Sequence, residues 1–371
     1  MKKVLFTATV DIHILKFHIP YLEYFKSNGY EVHVATNGDA EIPFCDKKHK
    51  VSFERSPFKK NNINAYKELK KIIEEENFDL IHTHTPMGSV LTRLAAFKSR
   101  KNGTRLIYTA HGFHFYNGAP IQNWLLYYPV EKLLSIVTDD LITINQEDYD
   151  IAQKKLKAKN TYLINGVGVD YNKFKRDMSE EEKLQLRKSL GLDKNDIVLI
   201  YVAEITKGKN QKMLLDVIER IQERNVKLLL VGNDSLNGEI NKLISRKNLG
   251  DRVYMLGYRN DVSNLIEISD IYVSASDREG LPVNIMEAMN MEIPIVATDC
   301  RGNRDLVLDR ESGFLVPLND VDNFVDKIKT VLREKKLVEK MIEKSKERTK
   351  EYSLDYVKEQ MKNIYEKGMS I

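Results

Sequence analysis

Two glutamates at positions 279 and 287, the first followed directly by glycine, leucine and proline, form the most informative chemical pattern in this sequence. Pro282 stands where a first helical residue belongs, so the pattern predicts a strand, a polar loop and then a helix. The amides of Gly280 and Leu281 would lie unpaired at that helix N-terminus, which suits a phosphate or a sugar hydroxyl. On spacing alone, another interpretation stays open, in which Glu279 stabilises the helix dipole and Glu287 is a solvated helix residue.

Short apolar runs alternate with longer amphipathic stretches along the whole chain. This alternation is typical of βαβ units and predicts doubly wound parallel sheets. In the first half we predict strands at Val4–Ala8, Glu31–Thr36, Leu80–His84, Leu106–Thr109 and Asp140–Ile144, and helices at Ala65–Glu76, Gly88–Lys98 and Leu125–Ile136.

A stretch rich in turn-forming and polar residues, 165–182, interrupts the pattern, which then restarts. We therefore expect an α/β protein of two Rossmann-like domains, 1–170 and 171–353, with only helices from Val321 onward. The second half predicts strands at Ile197–Val202, Val226–Val231, Val253–Leu256, Ile271–Ser274 and Ile295–Ala297, and helices at Asn210–Glu223, Ile240–Lys247 and Ile285–Met291.

The last segment, 354–371, has an apolar spacing suited to docking. We expect it to join the first domain, while packing on its own domain stays open as the alternative. Two doubly wound domains facing one another would leave a central cleft between the carboxyl ends of their sheets, where open α/β sheets bind ligands.

Composition narrows the class of protein. The chain has 371 residues, 42% of them hydrophobic, and its two cysteines, Cys45 and Cys300, are too few for a disulfide framework. No apolar run is long enough to span a bilayer, so we expect a cytoplasmic protein. Residues 1–175 hold 25 Lys and Arg against 19 Asp and Glu. This mild excess does not indicate nucleic-acid binding, but it is compatible with contact to an anionic headgroup or phosphate.

The Glu279–Glu287 pattern resembles that of retaining glycosyltransferases of the large nucleotide-sugar family 4, which have the GT-B fold. Further segments that resemble this family occur along nearly the whole chain. They are Thr109 to His114, Asn165 to Asp170, Lys209-Asn210 and Leu256-Gly257-Tyr258. The segments Thr109 to His114 and Asn165 to Asp170 resemble those of the subgroup that builds bacterial capsular and exopolysaccharide repeat units.

The resemblance implies a role for each matched position in the second domain. Glu287 would hold the ribose hydroxyls of a nucleotide, and Glu279 would approach the donor sugar. The amides of Gly280 and Leu281 would contact the sugar or the diphosphate, and Lys209 would neutralise the diphosphate as the glycosidic bond breaks.

Four further positions complete the implied site. His111 would reach the sugar or phosphate from the first domain. Tyr258 and Arg259 lie where the family's base-binding loop runs. Glu204 departs from the family, because many relatives have an arginine there; we expect it either to orient Lys209 or to accept a sugar hydroxyl.

We expect no metal and no cofactor. His82 with His84, and His111 with His114, are pairs that could ligate a metal, but no nearby cysteine or acidic cluster completes either set. We also expect no catalytic loop of the Asp-x-Asp kind that metal-dependent glycosyltransferases show.

The resemblance implies a retaining hexosyltransferase that moves a sugar, with an N-acetylhexosamine as first guess, from a UDP-sugar to a polyprenyl-diphosphate-linked saccharide. Two rivals stay open: a non-hydrolysing UDP-sugar epimerase, and a two-lobed nucleotide-sugar-binding regulatory protein. The aromatic stretch from Phe113 to Tyr128 predicts either ordinary core packing or a surface that touches the inner face of the cell membrane beside the acceptor.

Overall fold

The computed structural model describes residues 1–367 and divides the chain into two compact units. The first unit comprises Met1–Val167 together with the chain from Val357 onward, and the second comprises Gly168–Tyr356. The expected terminal segment extends to residue 371, and residues 368–371 lie outside the described part of the chain.

The first unit is built on a seven-stranded parallel sheet with the strand order β3-β2-β1-β4-β5-β6-β7. Its central strands are buried on both faces, as expected for a sheet covered by helices on each side. The strands are β1 (Lys3–Val10), β2 (Glu31–Asn37), β3 (Lys47–Lys50), β4 (Leu80–His84), β5 (Arg105–Ala110), β6 (Asp140–Thr143) and β7 (Asn160–Leu163).

Seven helices connect these strands. They are α1 (Asp11–Phe17), α2 (Ile19–Ser27), α3 (Asn61–Glu76), α4 (Pro86–Ala95), α5 (Phe97–Lys101), α6 (Ile121–Ser135) and α7 (Gln146–Lys155). A core of Leu5, Leu69, Ile73, Ile81 and Leu106 packs α3 against the sheet.

The second unit has a six-stranded parallel sheet with the order β10-β9-β8-β11-β12-β13. Its strands are β8 (Ile197–Val202), β9 (Val226–Val231), β10 (Val253–Gly257), β11 (Ile271–Ser274), β12 (Ile295–Thr298) and β13 (Phe314–Val316). Its helices are α8 (Glu180–Ser189), α9 (Gln211–Arg220), α10 (Glu239–Arg246), α11 (Val262–Glu267), α12 (Val283–Asn290), α13 (Arg301–Leu306), α14 (Val321–Arg333) and α15 (Lys335–Thr349). The predicted α/β class with doubly wound sheets is confirmed.

The last helix, α16 (Leu354–Glu366), belongs to the first unit from Val357 onward. Its Tyr365 is fully buried and its hydroxyl lies 2.8 Å from Nδ1 of His82. The Arg105 guanidinium donates hydrogen bonds to the carbonyls of Ile364 and Tyr365, which satisfies acceptors that a helix C-terminus otherwise leaves unpaired.

Sequence patterns did not predict three strands, β3, β7 and β13, or six helices, α1, α2, α7, α8, α11 and α13. Strand β3 consists of three lysines and a histidine at the sheet edge, so it lacks the apolar run on which strand prediction depends. Strands β7 and β13 are only four and three residues long. Helix α8 begins in the last residues of the stretch interpreted as polar and extends beyond it to Ser189; it starts with a capping box between Ser179 and Glu182.

The expectation that Pro282 is the first helical residue is wrong. Pro282 precedes α12 as its N-cap, with ψ of 113°, and the helix begins at Val283. Within residues 1–367, none of the helices combines the length and the apolar character needed to cross a membrane.

Candidate active site

The loop between β11 and α12 holds Glu279 in a buried position at the carboxyl end of the second sheet. Its Oε1 accepts a hydrogen bond from Ser276 Oγ at 2.6 Å and pairs with the Lys209 ammonium at 2.5 Å. Behind them, the Tyr201 hydroxyl lies 2.6 Å from Ser276 Oγ. Glu279 is therefore a fixed, charge-paired carboxylate, and the interpretation that it serves only the helix dipole is wrong.

Lys209 owes its position to a short turn between β8 and α9. Thr206 accepts a hydrogen bond from the Lys209 amide, and Asn210 adopts the left-handed conformation with φ of 52°. Asparagine tolerates this region better than most residues, and its side chain donates to Asp277 Oδ1 at 3.0 Å. The lysine loop is thus tied directly to the glutamate loop.

The amides of Gly280 and Leu281 have no hydrogen-bond acceptor within the described residues. The N-terminal part of α13 packs closely on this loop, and a Cβ at Gly302 would lie 2.4 Å from the Gly280 carbonyl oxygen. Only glycine fits there, and the contact holds the loop in shape. Two oriented donors beside a lysine form a site suited to an anion.

Glu287 lies in the second turn of α12, which begins at Val283, and is half-buried. Burial raises the pKa of its carboxyl from 4.5 to about 7. Its half-buried position differs from that of the solvated helix residue in the alternative interpretation. A carboxylate that is poorly hydrated gains most from hydrogen-bond donors such as ribose hydroxyls.

Three other predicted residues are placed as follows. The Glu204 carboxylate accepts a hydrogen bond from Ser235, whereas Lys209 pairs with Glu279, so the expectation that Glu204 orients Lys209 is wrong. Arg259 makes a two-pronged ion pair with Asp261, at 2.8 and 2.5 Å. Tyr258 is largely exposed and therefore accessible to a ligand.

In the first unit, His111 directly follows β5 and belongs to a cluster of four histidines. Its Nε2 lies 3.2 Å from Nε2 of His13, and the cluster is completed by His18 and His84. Burial lowers the pKa of His13 to about 4 and those of the other three well below their usual value, so all four are neutral imidazoles.

The sequence pattern paired His84 with His82 and His111 with His114. The His82 ring does lie beside that of His84, with centroids 4.1 Å apart, but both of its nitrogens are bonded, to Tyr365 and Thr109. The His114 ring packs 4.6 Å from that of Tyr127. The available signal was that His13, His84 and His111 all lie at or just after the ends of strands, which meet at one edge of a parallel sheet.

A cavity of about 750 Å³ also opens in the first unit. Its wall is mostly apolar, with basic groups at Lys16 and Arg55, and its apolar residues include Ile12, Phe17, Phe58, Met87 and Leu126. Phe113 and Phe115 of the aromatic stretch are core residues, as the core-packing interpretation predicted. Leu125 of the following helix is exposed, and contact of this stretch with a membrane stays a prediction.

Comparisons with known proteins show the family of this chain. The family described as glycosyl transferases group 1 matches residues 182–348, and glycosyl transferase 4-like matches residues 3–145. EpsD of Bacillus subtilis (strain 168), named as a glycosyltransferase, is 41% identical over all of this chain and 98% of its own. The UDP-Gal:alpha-D-GlcNAc-diphosphoundecaprenol alpha-1,3-galactosyltransferase of Escherichia coli is 31% identical over 74% of this chain and 73% of its own.

Among solved structures, Anabaena Alr3699/HepE in complex with UDP and glucose has a TM-score of 0.81 at 20% identity, covering 99% of this chain and all of that one. The sucrose-phosphate synthase of Thermosynechococcus elongatus has a TM-score of 0.80 at 19% identity, covering 99% of each chain. The expected GT-B fold is thereby confirmed. From the family matches and the relatives together, this chain belongs to the glycosyltransferases, with a 4-like first unit and a group 1 second unit.

Proposed function

We propose that this glycosyltransferase retains the anomeric configuration and moves a hexose-type sugar from a UDP-sugar to a saccharide linked to polyprenyl diphosphate, in capsular or exopolysaccharide biosynthesis. The observation that carries the proposal is the Lys209–Glu279 pair beside the amides of Gly280 and Leu281. The printed names of relatives support the acceptor class, since two of them act on saccharides joined to diphosphoundecaprenol. A UDP-linked N-acetylhexosamine is our first choice of donor.

Each site residue of the second unit has a distinct role in this reaction. Lys209 and the two amides stabilise the diphosphate as it gains charge, and Glu279 holds a hydroxyl of the donor sugar. Glu287 holds the ribose, Tyr258 and Arg259 lie beside the base, and Glu204 accepts a sugar hydroxyl. Because Glu279 already binds Ser276 and Lys209, we assign it to positioning rather than to nucleophilic attack.

The chemical step that fits this arrangement is same-face displacement. The acceptor hydroxyl oxygen bonds to the anomeric carbon as the bond from that carbon to the diphosphate oxygen breaks, and the hydroxyl proton passes to the leaving diphosphate. The protein then contributes positioning and charge stabilisation. We propose that His111 acts in this step as well.

Donor hydrolysis without acceptor tests this proposal against its rivals. A thermal-stability screen of nucleotide sugars first identifies the donor, since a ligand that binds the native state raises the melting temperature. Slow release of UDP and free sugar supports a transferase. Conversion of the donor into its epimer would instead indicate an epimerase, and stabilisation with no turnover would indicate a regulatory binding protein.

We expect UDP to bind equally well in excess EDTA and in Mg²⁺, because Lys209 and the Gly280 and Leu281 amides replace a metal at the diphosphate. Calorimetry with UDP alone measures this without any acceptor. If Mg²⁺ tightened binding tenfold or more, a metal would belong to the donor site and this part of the proposal would be wrong.

An exposed apolar stripe on α6 supports peripheral membrane contact. Ile121, Leu125 and Leu133 are 71%, 72% and 68% exposed and recur at helical spacing. Leu133 and Ile136 also line a groove with Leu94 and Phe97, which extends the apolar surface. Lys98 lines the same groove, and Lys132 and Lys155 lie over the rings of Tyr128 and Trp124. Apolar side chains flanked by lysines are typical of surfaces that bind anionic lipid.

The double variant Leu125→Glu, Leu133→Glu should bind anionic vesicles of phosphatidylglycerol at least about tenfold more weakly than the unmodified chain, because each leucine loses its transfer free energy. Co-sedimentation with vesicles measures the partitioning. Leu184→Glu, an exposed leucine on α8, is the matched control and should bind normally. Equal binding by all three proteins would exclude this surface.

A further inference from the structure

The four clustered histidines have the spacing of a metal-ligand set. Each ring offers one nitrogen, and these four nitrogens lie within 4.8 Å of one another. In a tetrahedral zinc site with bonds of 2.0–2.1 Å, ligand nitrogens lie about 3.4 Å apart. The His13 and His111 nitrogens, at 3.2 Å, are already at this separation.

The two deepest rings lack any hydrogen-bond partner. His18 and His84 are buried, their ring centroids lie 3.7 Å apart, and neither nitrogen of either ring has a partner within the described residues. A buried polar group left unsatisfied costs about 1–3 kcal/mol. Neighbouring His82 is equally buried, yet both of its nitrogens are bonded, to Tyr365 and Thr109. The fold therefore supplies hydrogen-bond partners for both ring nitrogens of a buried histidine whose role is structural.

We propose that His13, His18, His84 and His111 bind one divalent transition-metal ion, for which Zn²⁺ is the best fit. Neutral imidazoles are suitable ligands for Zn²⁺, Cu²⁺, Ni²⁺ and Fe²⁺, whereas Mg²⁺ and Ca²⁺ require oxygen ligands. A ligand set of four histidines without a carboxylate therefore favours these transition-metal ions over Mg²⁺ and Ca²⁺.

Rigid elements hold the proposed ligands. His13 lies in α1 directly after β1, and His18 lies between α1 and α2; His84 ends β4, and His111 follows β5. Strands β1, β4 and β5 are neighbours in the sheet, so the ligands converge at its carboxyl edge. Ligands carried on the ends of adjacent strands are pre-organised, which limits the entropy lost when the ion binds.

This inference does not rest on the proposed reaction. A histidine that ligates a metal through one ring nitrogen keeps the other for a hydrogen bond. His111 can therefore complete the set through Nε2, the atom that faces His13, and still act on a substrate through Nδ1.

The test is metal binding by the untagged full chain after treatment with EDTA and dialysis, without nucleotide or acceptor. Titration with Zn²⁺ should show one ion per chain and a rise in melting temperature. Co²⁺ should give the strong visible absorption bands of a tetrahedral nitrogen site. His13→Gln, at a half-buried position, should weaken Zn²⁺ binding at least about 100-fold, since the loss of a ligand exceeds the usual cost of losing a supporting group.

His49→Gln is the matched control, because His49 belongs to a second group with His33 and Glu76 in which the His33 and His49 rings already bond each other at 2.9 Å. It should bind Zn²⁺ as the unmodified chain does. His84→Leu should lose the ion while its metal-free melting temperature stays equal or rises, because it removes an unsatisfied buried ring. No uptake by the unmodified chain, normal affinity in His13→Gln, or loss confined to His49→Gln would each overturn the proposal.

Discussion

Replacement of His111 with alanine is expected to lower kcat by about 10²-fold, the usual result of removing one group that stabilises the transition state. The Kd for UDP should stay nearly unchanged, because the residues assigned to the nucleotide all belong to the second unit, whereas His111 follows β5 of the first. A group that acts mainly in the transition state changes turnover without changing ground-state affinity.

Steady-state kinetics with the true acceptor, UDP calorimetry and a melting curve together test this expectation. His49→Ala provides the control, because it removes a half-buried histidine at the far edge of the same sheet. Normal kcat in a folded His111→Ala protein would remove this residue from the reaction. Parallel loss of UDP affinity and kcat would instead make it a ligand of the nucleotide.

Glu287→Ala should weaken UDP binding by about 1.5–3 kcal/mol, the range for a hydrogen bond to a charged group. The effect should depend on pH. Burial raises the pKa of Glu287 to about 7 in the free protein, and donors that favour the carboxylate lower it again in the complex. Binding then releases a proton, so UDP affinity should rise as the pH increases from 6 to 8.

Calorimetry at pH 6, 7 and 8 measures both parts of this prediction. Glu287→Gln keeps the shape of the side chain without its charge, so it should bind UDP weakly and with no pH dependence between 6 and 8. Unchanged affinity in a folded Glu287→Ala protein would remove Glu287 from the nucleotide site. A pH dependence that persisted in Glu287→Gln would assign the titration to another group.

The sequence by itself determined most of the segments that form the two sheets. Strands β8, β9 and β11 begin and end at the predicted residues, because a strand buried on both faces is mostly apolar and such a run has clear ends. Strand β4 also has the predicted bounds, although only its first two residues, Leu80 and Ile81, are apolar. The Glu279 loop was predicted for a similar reason, since a strand, a glycine and a proline in that order leave few local conformations. A search for apolar runs cannot detect β3, because the side chains of this edge strand are all polar.

Only the tertiary structure decided which side chains meet. Lys209 and Glu279 lie 70 positions apart, and no local rule assigns that lysine to this glutamate rather than to Glu204. The same applies to His13 and His111, which are 98 positions apart yet share a cluster. The periodicity of apolar residues predicts only which face of a single helix or strand is buried. The strand order β1-β4-β5 in the folded sheet is what brings remote strand ends together. The charge and hydrogen-bonding state of these groups depend on that assembly, because burial and partner distance set them.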